Sequence, residues 1–224
     1  MRQQILDILP TNVPSLLNFI PGQNRELITT LNRVLHRKEK EKFFYIWGNT
    51  GCGKSHLLQA IVNHFIGKQQ TAYYFPGEIP QQFEATDDIA CLAVDDIERL
   101  DDIGQIKLFH IYNQLRDRKF AVFIVSGNVA PSHLNVRPDV LTRLSWGLVY
   151  QVHELTENEK IEALQTHALE RGFTLELPIC QYLLRHSRRD LSSLIMILEE
   201  LNRYSLIHQR KVTLPLVIKL LQEN

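Results

Sequence analysis

The chain has 224 residues, of which 44% are hydrophobic and 22% are charged, values typical of a soluble globular protein. This length suits one ordinary domain and a smaller second one. The 25 Lys and Arg residues balance the 25 Asp and Glu residues, so the formal net charge is zero. Proteins that bind nucleic acid through its phosphates usually carry a basic surplus, so the composition argues against DNA binding as the main function, although a local basic patch would be compatible with it.

The three cysteines, Cys52, Cys91 and Cys180, lie far apart in the sequence. Their odd number and spacing fit neither a disulfide framework nor a metal site, so they favour a reducing cytosol. No apolar run approaches the length of a membrane span, and no signal peptide opens the chain. We therefore expect a cytoplasmic protein that makes no membrane contact.

The first ten residues contain an apolar run at positions 5–9, and two prolines, Pro10 and Pro14, separate this segment from the rest. A free N-terminal tail is usually polar. The segment therefore has two interpretations. It either packs on the domain as a first strand or staple, or it docks as a short peptide into a groove of another protein.

Residues 48–55 read Gly-Asn-Thr-Gly-Cys-Gly-Lys-Ser, the complete G-x-x-x-x-G-K-S pattern of a P-loop. A predicted strand, 43–47, precedes the loop and an apolar helical pattern follows it, which is the context that this motif requires. A helix over about residues 24–37 and a mixed-charge linker precede that strand. A glycine-rich turn without a ligand would not need lysine and serine in register behind a strand.

The glycines of the loop let the backbone turn tightly and direct N–H groups toward phosphate oxygens, at the positive end of the next helix. Lys54 would reach the β- and γ-phosphates, and the Ser55 hydroxyl would bind Mg²⁺. We assign Cys52 no redox role, because any small residue fits that position. The predicted nucleotide-binding residues of the loop are Asn49, Thr50, Gly51, Cys52, Gly53, Lys54, Ser55 and His56.

Four more strands are predicted, at 71–75, 89–94, 120–125 and 148–152, with a helix over about 105–116. Strands that alternate with helices indicate an α/β fold with a mostly parallel, five-stranded sheet. Ligands of such sheets bind beyond the carboxyl ends of the strands. The P-loop, the pair Asp95 and Asp96, and Asn128 all follow strands, so we expect them to converge.

An apolar strand that ends in Asp-Asp downstream of a P-loop is a Walker B pattern. Asp95 would then hold Mg²⁺, and Asp96 would orient and deprotonate the attacking water. The alternative is that both acids cap the next turn. Asn128 would hold the same water or sense the γ-phosphate, although Ser-Gly-Asn is also an ordinary turn.

From residue 155 the pattern is helical only. Thr156 and Glu159 form a predicted capping box for a helix that runs to Arg171 and stops at Gly172. Further helices are expected near 178–187, 191–207 and 214–222. The predicted domains are a tail, 1–13, an α/β nucleotide-binding domain, 14–154, and a small helical domain, 155–224.

Arg143 lies in a Val-Leu-Thr-Arg-Leu segment just before the last predicted strand. A single arginine on a helix is usually a solvated surface residue. In this architecture a helix end at this place tends to face a neighbouring subunit. The arginine could then supply charge to the γ-phosphate of another protomer, as an arginine finger does.

Five segments, 14–22, 47–55, 141–147, 171–173 and 209–215, together resemble the AAA+ family and, within it, the DnaA-like clade. The resemblance covers nearly the whole chain and implies a P-loop AAA+ core followed by a helical lid. It also implies a regulator that holds ADP or ATP with Mg²⁺, docks on the DNA-loaded sliding clamp and makes the initiator DnaA hydrolyse its ATP. Such a protein prevents over-initiation of replication, has weak intrinsic ATPase activity, meets DNA only through the clamp and can form a homodimer.

The resemblance extends to single residues. It places Arg143 on the family's arginine finger and Asn128 on sensor 1. The segment 3–8 resembles the clamp-binding peptide Q-x-x-L-x-φ, and Phe19, Ile20 and Gly22 resemble the part that covers adenine. The predicted clamp-binding residues are Gln3, Leu6 and Ile8.

One departure from the family concerns its sensor 2 arginine, whose position Ser192 occupies here. Serine cannot contact phosphate as a cation. Arg188 and Arg189 lie four and three residues earlier and would substitute if that turn is helical. Without a substitute we expect a protein that holds ADP well and turns over poorly alone.

Two other functions compete with a regulator of DnaA. An autonomous helicase or transposase loader would bind single-stranded DNA and hydrolyse ATP itself. The neutral charge and the clamp-like tail favour the regulator. An inert module with a vestigial P-loop would not need the intact Lys54, Ser55 and Asp95.

Overall fold

The computed structural model describes residues 13–118, 120–208 and 211–223. Contacts between Cα atoms divide the chain into two compact units. The first unit runs to Gly48 and resumes from Gly53 to Val152. The second comprises Asn49–Cys52 and the chain from His153 onward.

The first unit contains a five-stranded sheet in which all neighbouring strands are parallel. Its strands are β1 (Phe43–Trp47), β2 (Thr71–Pro76), β3 (Ile89–Asp95), β4 (Val122–Gly127) and β5 (Leu148–Gln151). Their order is β2-β3-β4-β1-β5. Every residue of β3 and β4 is buried, which explains why these strands read as continuous apolar runs. The predicted parallel α/β sheet is confirmed.

Four helices connect and cover these strands. They are α1 (Arg25–Leu35), α2 (Lys54–Gly67), α3 (Asp102–Arg116) and α4 (Pro138–Trp146). The α3 helix begins three residues before the predicted start, because the Asp101 side chain accepts a 2.7 Å hydrogen bond from the Gly104 N–H and caps it. On the α3 and α4 face, side chains of four strands form one core, which includes Phe43, Leu92, Phe123, Leu108 and Leu144.

The predicted fourth strand started two residues too early. Phe120 lies outside β4, where its ring packs under the Arg37 guanidinium at 4.3 Å from the ring centroid. The Phe120 ring thus makes a cation–π contact outside the sheet, and Phe120 does not take part in strand pairing. The strand in turn continues to Gly127, so that Asn128 follows its last residue directly.

The second unit contains four helices, α5 (Glu157–Glu170), α6 (Leu177–His186), α7 (Leu191–His208) and α8 (Leu214–Glu223). The predicted capping box is present, with the Thr156 hydroxyl accepting from the Glu159 N–H and the Glu159 carboxylate accepting from the Thr156 N–H. The apolar core of the unit includes Leu164, Ile179, Leu183, Leu198 and Val217. None of the helices in the described part of the chain is both long and apolar enough to cross a membrane.

Candidate nucleotide site

The P-loop adopts a backbone that only its glycines allow without strain. Gly51 and Gly53 have φ angles of +84° and +105°, in the left-handed region. Gly53 directly precedes α2, a helix of 14 residues, so the loop leads into the N-terminus of this helix. Free N–H groups at such a terminus favour an anion. Asn49, Thr50 and Ser55 are exposed there, and Cys52 is buried.

Lys54 reaches from the loop toward the ends of β1 and β4. Its side chain is buried, and its Nζ donates to the Gly48 carbonyl oxygen at 2.7 Å and to Asn128 Oδ1 at 3.2 Å. The structure thus brings the P-loop lysine and the predicted sensor together. Both of these acceptors are neutral.

Asp95 ends β3 and is 3% exposed, and both of its carboxylate oxygens accept hydrogen bonds. The Tyr74 hydroxyl donates to Oδ2 at 2.7 Å, and the Ser126 hydroxyl donates to Oδ1. Burial and the neighbouring Asp95 raise the pKa of Tyr74 to about 12, so Tyr74 remains a donor at neutral pH. The interpretation of Asp95 as a helix cap finds no support in these contacts.

Asp96 has an unusual backbone for a residue other than glycine, with φ +49° and ψ +61°. Its N–H donates to Ser126 Oγ at 3.0 Å, and its side chain makes no capping hydrogen bond to the short turn Ile97–Arg99. Burial raises the pKa of Asp96, the charge of Asp95 adds to that rise, and Lys54 opposes it. A raised pKa of this kind is common among carboxylates that act as general bases.

The segment predicted to cover adenine lies against the start of α2. A Cβ atom added to Gly53 would come within 2.8 Å of the Phe19 ring, and the Phe19 and His56 ring centroids are 5.7 Å apart. Burial lowers the pKa of His56, whose Nε2 lies 3.0 Å from the Ser15 carbonyl oxygen. Ile20 is half-buried, and Gly22 has a φ of +47°.

The oxygen groups of this site suit Mg²⁺. A carboxylate and a hydroxyl are hard donors, and Mg²⁺ usually takes only one or two protein ligands besides phosphate and water oxygens. In the described residues, no three His, Cys, Asp or Glu side chains cluster as a protein-only metal site would require. The donor set of Asp95 and Ser55 therefore fits a cation that a nucleotide brings with it.

Arg143 is held by other elements. Its Nε donates to Asn113 Oδ1 at 3.1 Å, and its guanidinium carbon lies 4.1 Å from the centroid of Trp146. Phe109 and Tyr112 also lie under the guanidinium, at 5.4 and 6.0 Å. These partners belong to α3 and α4, whereas Lys54 and Asp95 are bonded to residues in or next to the strands. None of these contacts of Arg143 joins it to the P-loop.

The remaining predicted residues belong to the N-terminal tail and to the second unit. Gln3, Leu6 and Ile8 lie outside the described residues. Ser192 is exposed in the first turn of α7, and Arg188 and Arg189 are exposed in the non-helical segment before it. The condition for their substitution, a helical turn, is not met, because Asp190 caps α7 with a 2.9 Å hydrogen bond from the Ser193 N–H.

Sequence reasoning missed four side chains that hold the predicted residues in place. Tyr74 and Ser126 hold Asp95, and Asn113 and Trp146 hold Arg143. Tyrosine in a strand is ordinary, so Tyr74 gave no signal by itself. Ser126 is a buried polar residue at the end of an apolar strand, which could have drawn attention.

Comparisons with known proteins show which family the chain belongs to. A family model described as the Hda lid domain matches residues 157–221. An uncharacterised protein of Haemophilus influenzae is 34% identical over 230 residues, and the alignment covers 98% of each chain. The chain is an Hda-like AAA+ protein of the DnaA clade, in one family with that relative.

Solved structures agree with this assignment in their fold. Domain III of the Thermotoga maritima replication initiation protein DnaA has a TM-score of 0.74 at 18% identity, over 95% of this chain and 97% of that one. The AMPPCP-bound DnaA from Aquifex aeolicus has a TM-score of 0.69 at 22% identity, over 85% of this chain and 65% of that one. The chain therefore shares its fold with these DnaA structures.

Proposed function

We propose that this protein binds ADP or ATP with Mg²⁺ and, on the DNA-loaded sliding clamp, stimulates ATP hydrolysis by DnaA. The observation that carries the proposal is that Arg143 makes its contacts to residues of α3 and α4. None of these contacts is to a residue of the P-loop, where a cation that served the chain's own nucleotide would be expected. Arg143 instead lies on α4, beside the 57% exposed Trp146.

Nucleotide binding in this proposal uses the loop and the segment before α1. The N–H groups of residues 49–56 and Lys54 would hold the phosphates, and Phe19 and Ile20 would cover the base. The ligand of the Aquifex aeolicus DnaA structure, AMPPCP, is an adenine nucleotide analogue. The likeness in fold to that structure supports nucleotide binding by this chain. The intact loop with its left-handed glycines supports it as well.

Mg²⁺ would be held by Asp95 and Ser55 and would offset phosphate charge. Asp96 would accept the proton of the attacking water, and Asn128 would orient that water. Intrinsic turnover should be weak, because Ser192 replaces the cation of sensor 2, and neither Arg188 nor Arg189 lies in a helical turn. The chain would then hold its nucleotide mainly as a structural ligand.

Stimulation of DnaA would depend on Arg143. Asn113 and the Trp146 ring, which are both neutral, fix the guanidinium, so its charge can serve an anion of another subunit. Contact with the γ-phosphate of DnaA would stabilise charge that develops in the transition state.

The decisive test is single-turnover hydrolysis by DnaA–ATP with clamp-loaded DNA and either Arg143→Ala or the unmodified protein. Stimulation should fall by about a thousandfold, the lower end for arginine fingers. ADP binding, clamp binding and thermal stability should be unchanged.

Arg137→Ala is the matched control. Arg137 caps the N-terminal side of the same helix, is exposed and pairs with Asp139 at 3.1 Å, so its loss should leave stimulation intact. Equal stimulation by the Arg143→Ala and unmodified proteins would reject the finger assignment. Strong DNA-dependent hydrolysis by this chain alone, with little effect on DnaA, would favour a helicase or transposase loader instead.

Clamp docking rests on the sequence of residues 3–8. Anchors of such peptides behave as hot spots, each worth about 2 kcal/mol or more. A variant with Gln3→Ala and Leu6→Ala should lose more than tenfold in clamp affinity, or about 1.4 kcal/mol, with little change in thermal stability. A large drop in the unfolding temperature without any clamp binding by the unmodified protein would mean that the tail is structural.

A further inference from the structure

We propose that the hydroxyls of Tyr74 and Ser126 are positioning groups that orient the Asp95 carboxylate toward a nucleotide-bound divalent cation. This inference rests on the proposed nucleotide site and adds two residues to it. Each oxygen of Asp95 accepts one hydrogen bond, from Tyr74 at 2.7 Å on Oδ2 and from Ser126 on Oδ1. Two such bonds fix the rotation of the carboxylate plane and leave one further lone pair on each oxygen.

Tyr74 approaches the site from the edge strand β2. Its neighbours Tyr73 and Phe75 pack with Phe83 in the core on the α3 side of the sheet. Since strand side chains alternate, Tyr74 points to the opposite face, where α2 lies. There its hydroxyl donates to Asp95, and the nearby side chains of Gln59 and Ser55 oppose the rise in its pKa. The hydroxyl therefore lies on the face of the sheet that carries both predicted metal-binding residues, Asp95 and Ser55.

Ser126 approaches from the other neighbouring strand, β4, and is fully buried. Its hydroxyl has two bonds at once, because it donates to Asp95 and accepts the Asp96 N–H at 3.0 Å. The second bond supports the left-handed backbone of Asp96, where a side chain other than glycine is strained. Ser126 thus links the predicted metal-binding carboxylate to the predicted base.

Both donors are neutral, and this property matters for a cation site. A cationic partner would offset the carboxylate charge and compete with the metal, whereas a hydroxyl orients the group without removing its charge. Partners of this kind around metal ligands typically change metal affinity by about 10- to 100-fold when they are removed. Loss of one of two hydroxyls should therefore weaken the Mg²⁺ contribution by about tenfold.

The experiment measures the dissociation constant of ADP by calorimetry in excess Mg²⁺ and again in EDTA. The quantity compared among variants is the ratio of the constant in EDTA to the constant in Mg²⁺, which reports how much Mg²⁺ strengthens binding. Tyr74→Phe removes one hydroxyl and retains the ring. The ratio should fall by about tenfold, while the affinity in EDTA should not change. The matched control is Tyr73→Phe, which removes a hydroxyl from the adjacent residue of the same strand and should leave the ratio unaltered.

Ser126→Ala and Ser126→Thr provide a second, independent pair. Alanine should lower the ratio, and threonine, which retains the hydroxyl, should restore most of it. Electron paramagnetic resonance of Mn²⁺ in the presence of ADP measures the metal affinity of each variant without any catalysis. It should rank the variants in the same order. A merely structural role would instead lower stability and leave the ratio constant.

The outcomes separate this inference from the proposed function. If the unmodified protein binds ADP tightly and Mg²⁺ strengthens that binding, the nucleotide site stands. An unchanged or increased ratio in both Tyr74→Phe and Ser126→Ala then overturns the positioning role alone. If Mg²⁺ has no effect on ADP binding by the unmodified protein, the metal assignment itself fails, and the inference fails with it.

Discussion

Two carboxylates in this molecule, Asp95 of the first unit and Glu199 of the second, are shielded from water in opposite ways. Asp95 is 3% exposed and receives its hydrogen bonds from two neutral hydroxyls. The Glu199 side chain is 24% exposed, and its Oε1 accepts from the Arg171 guanidinium at 2.6 and 2.9 Å and lies 2.8 Å from His167 Nε2.

The difference suggests different roles. A carboxylate paired with a guanidinium has its charge offset within the protein, and such a pair fixes structure. A buried carboxylate held by hydroxyls retains an uncompensated charge, which is costly unless a cation completes the site. From this comparison we expect Asp95 to serve a ligand and Glu199 to serve the stability of its unit.

The comparison extends to two cations. Lys54, the predicted phosphate ligand, donates through Nζ to a backbone carbonyl and an amide oxygen, and Arg171 donates to a carboxylate. The largest effect that would sharpen the comparison is therefore expected from Lys54→Ala. ADP affinity should fall by about a hundredfold, since a charge-assisted hydrogen bond is worth up to about 3 kcal/mol.

Calorimetric titration with ADP measures this loss. Lys68→Ala is the matched control, because Lys68 is an exposed lysine at the far end of the same helix and should not affect binding. Unchanged ADP affinity in Lys54→Ala would mean that the loop does not bind a nucleotide through this charge, and the division between ligand-binding and structural charges would be lost.

The next effect concerns Asp95→Asn, which removes the charge and preserves the shape. The factor by which Mg²⁺ strengthens ADP binding should be about tenfold smaller, or smaller still, in this variant than in the unmodified protein. The unfolding temperature should stay level or rise, because a buried charge without a cationic partner is removed. Thermal unfolding without nucleotide and calorimetry with and without Mg²⁺ make the two measurements. A lower unfolding temperature with unchanged Mg²⁺ dependence would place Asp95 in the structural class with Glu199.

The sequence predicted the parts of the site that local pattern determines. The bounds of the strand 43–47 were predicted correctly, because an apolar run on both faces indicates a buried strand. The P-loop was predicted from its three glycines, and the left-handed backbone of Gly51 and Gly53 agrees with that prediction. The start of β4 was missed, since Phe120 is as apolar as a strand residue but packs against Arg37 instead.

The contacts of Asp95 could not be predicted, because they depend on the pairing of separate strands. Pro76 pairs with Asp95, and Val94 pairs with Val125, which brings Tyr74 and Ser126 to either side of the carboxylate. No local pattern encodes that register. The cluster around Glu199 has the same origin, because its partners lie 28 and 32 residues away on another helix.

The smallest effect is expected from Glu199→Gln, which should lower the free energy of unfolding by about 1 kcal/mol at pH 7, after allowance for the partial exposure of the cluster. Burial by itself raises the pKa of Glu199, but hydrogen bonds from Arg171 and His167 outweigh it and hold the pKa below its ordinary value of 4.5. A lowered folded-state pKa gives stability that is complete above about pH 4.5 and is lost as the pH falls through the lowered value.

The difference between Glu199→Gln and the unmodified protein should therefore shrink as the pH falls below about 4.5. Urea unfolding at several pH values measures it, and Glu200→Gln, at the adjacent exposed position, is the matched control with little expected effect. ADP affinity should be the same in all three proteins. If Glu199→Gln altered the Mg²⁺ dependence of ADP binding, or if its effect on stability did not change with pH, the charge of Glu199 would not serve the structure alone, and the contrast with Asp95 would be wrong.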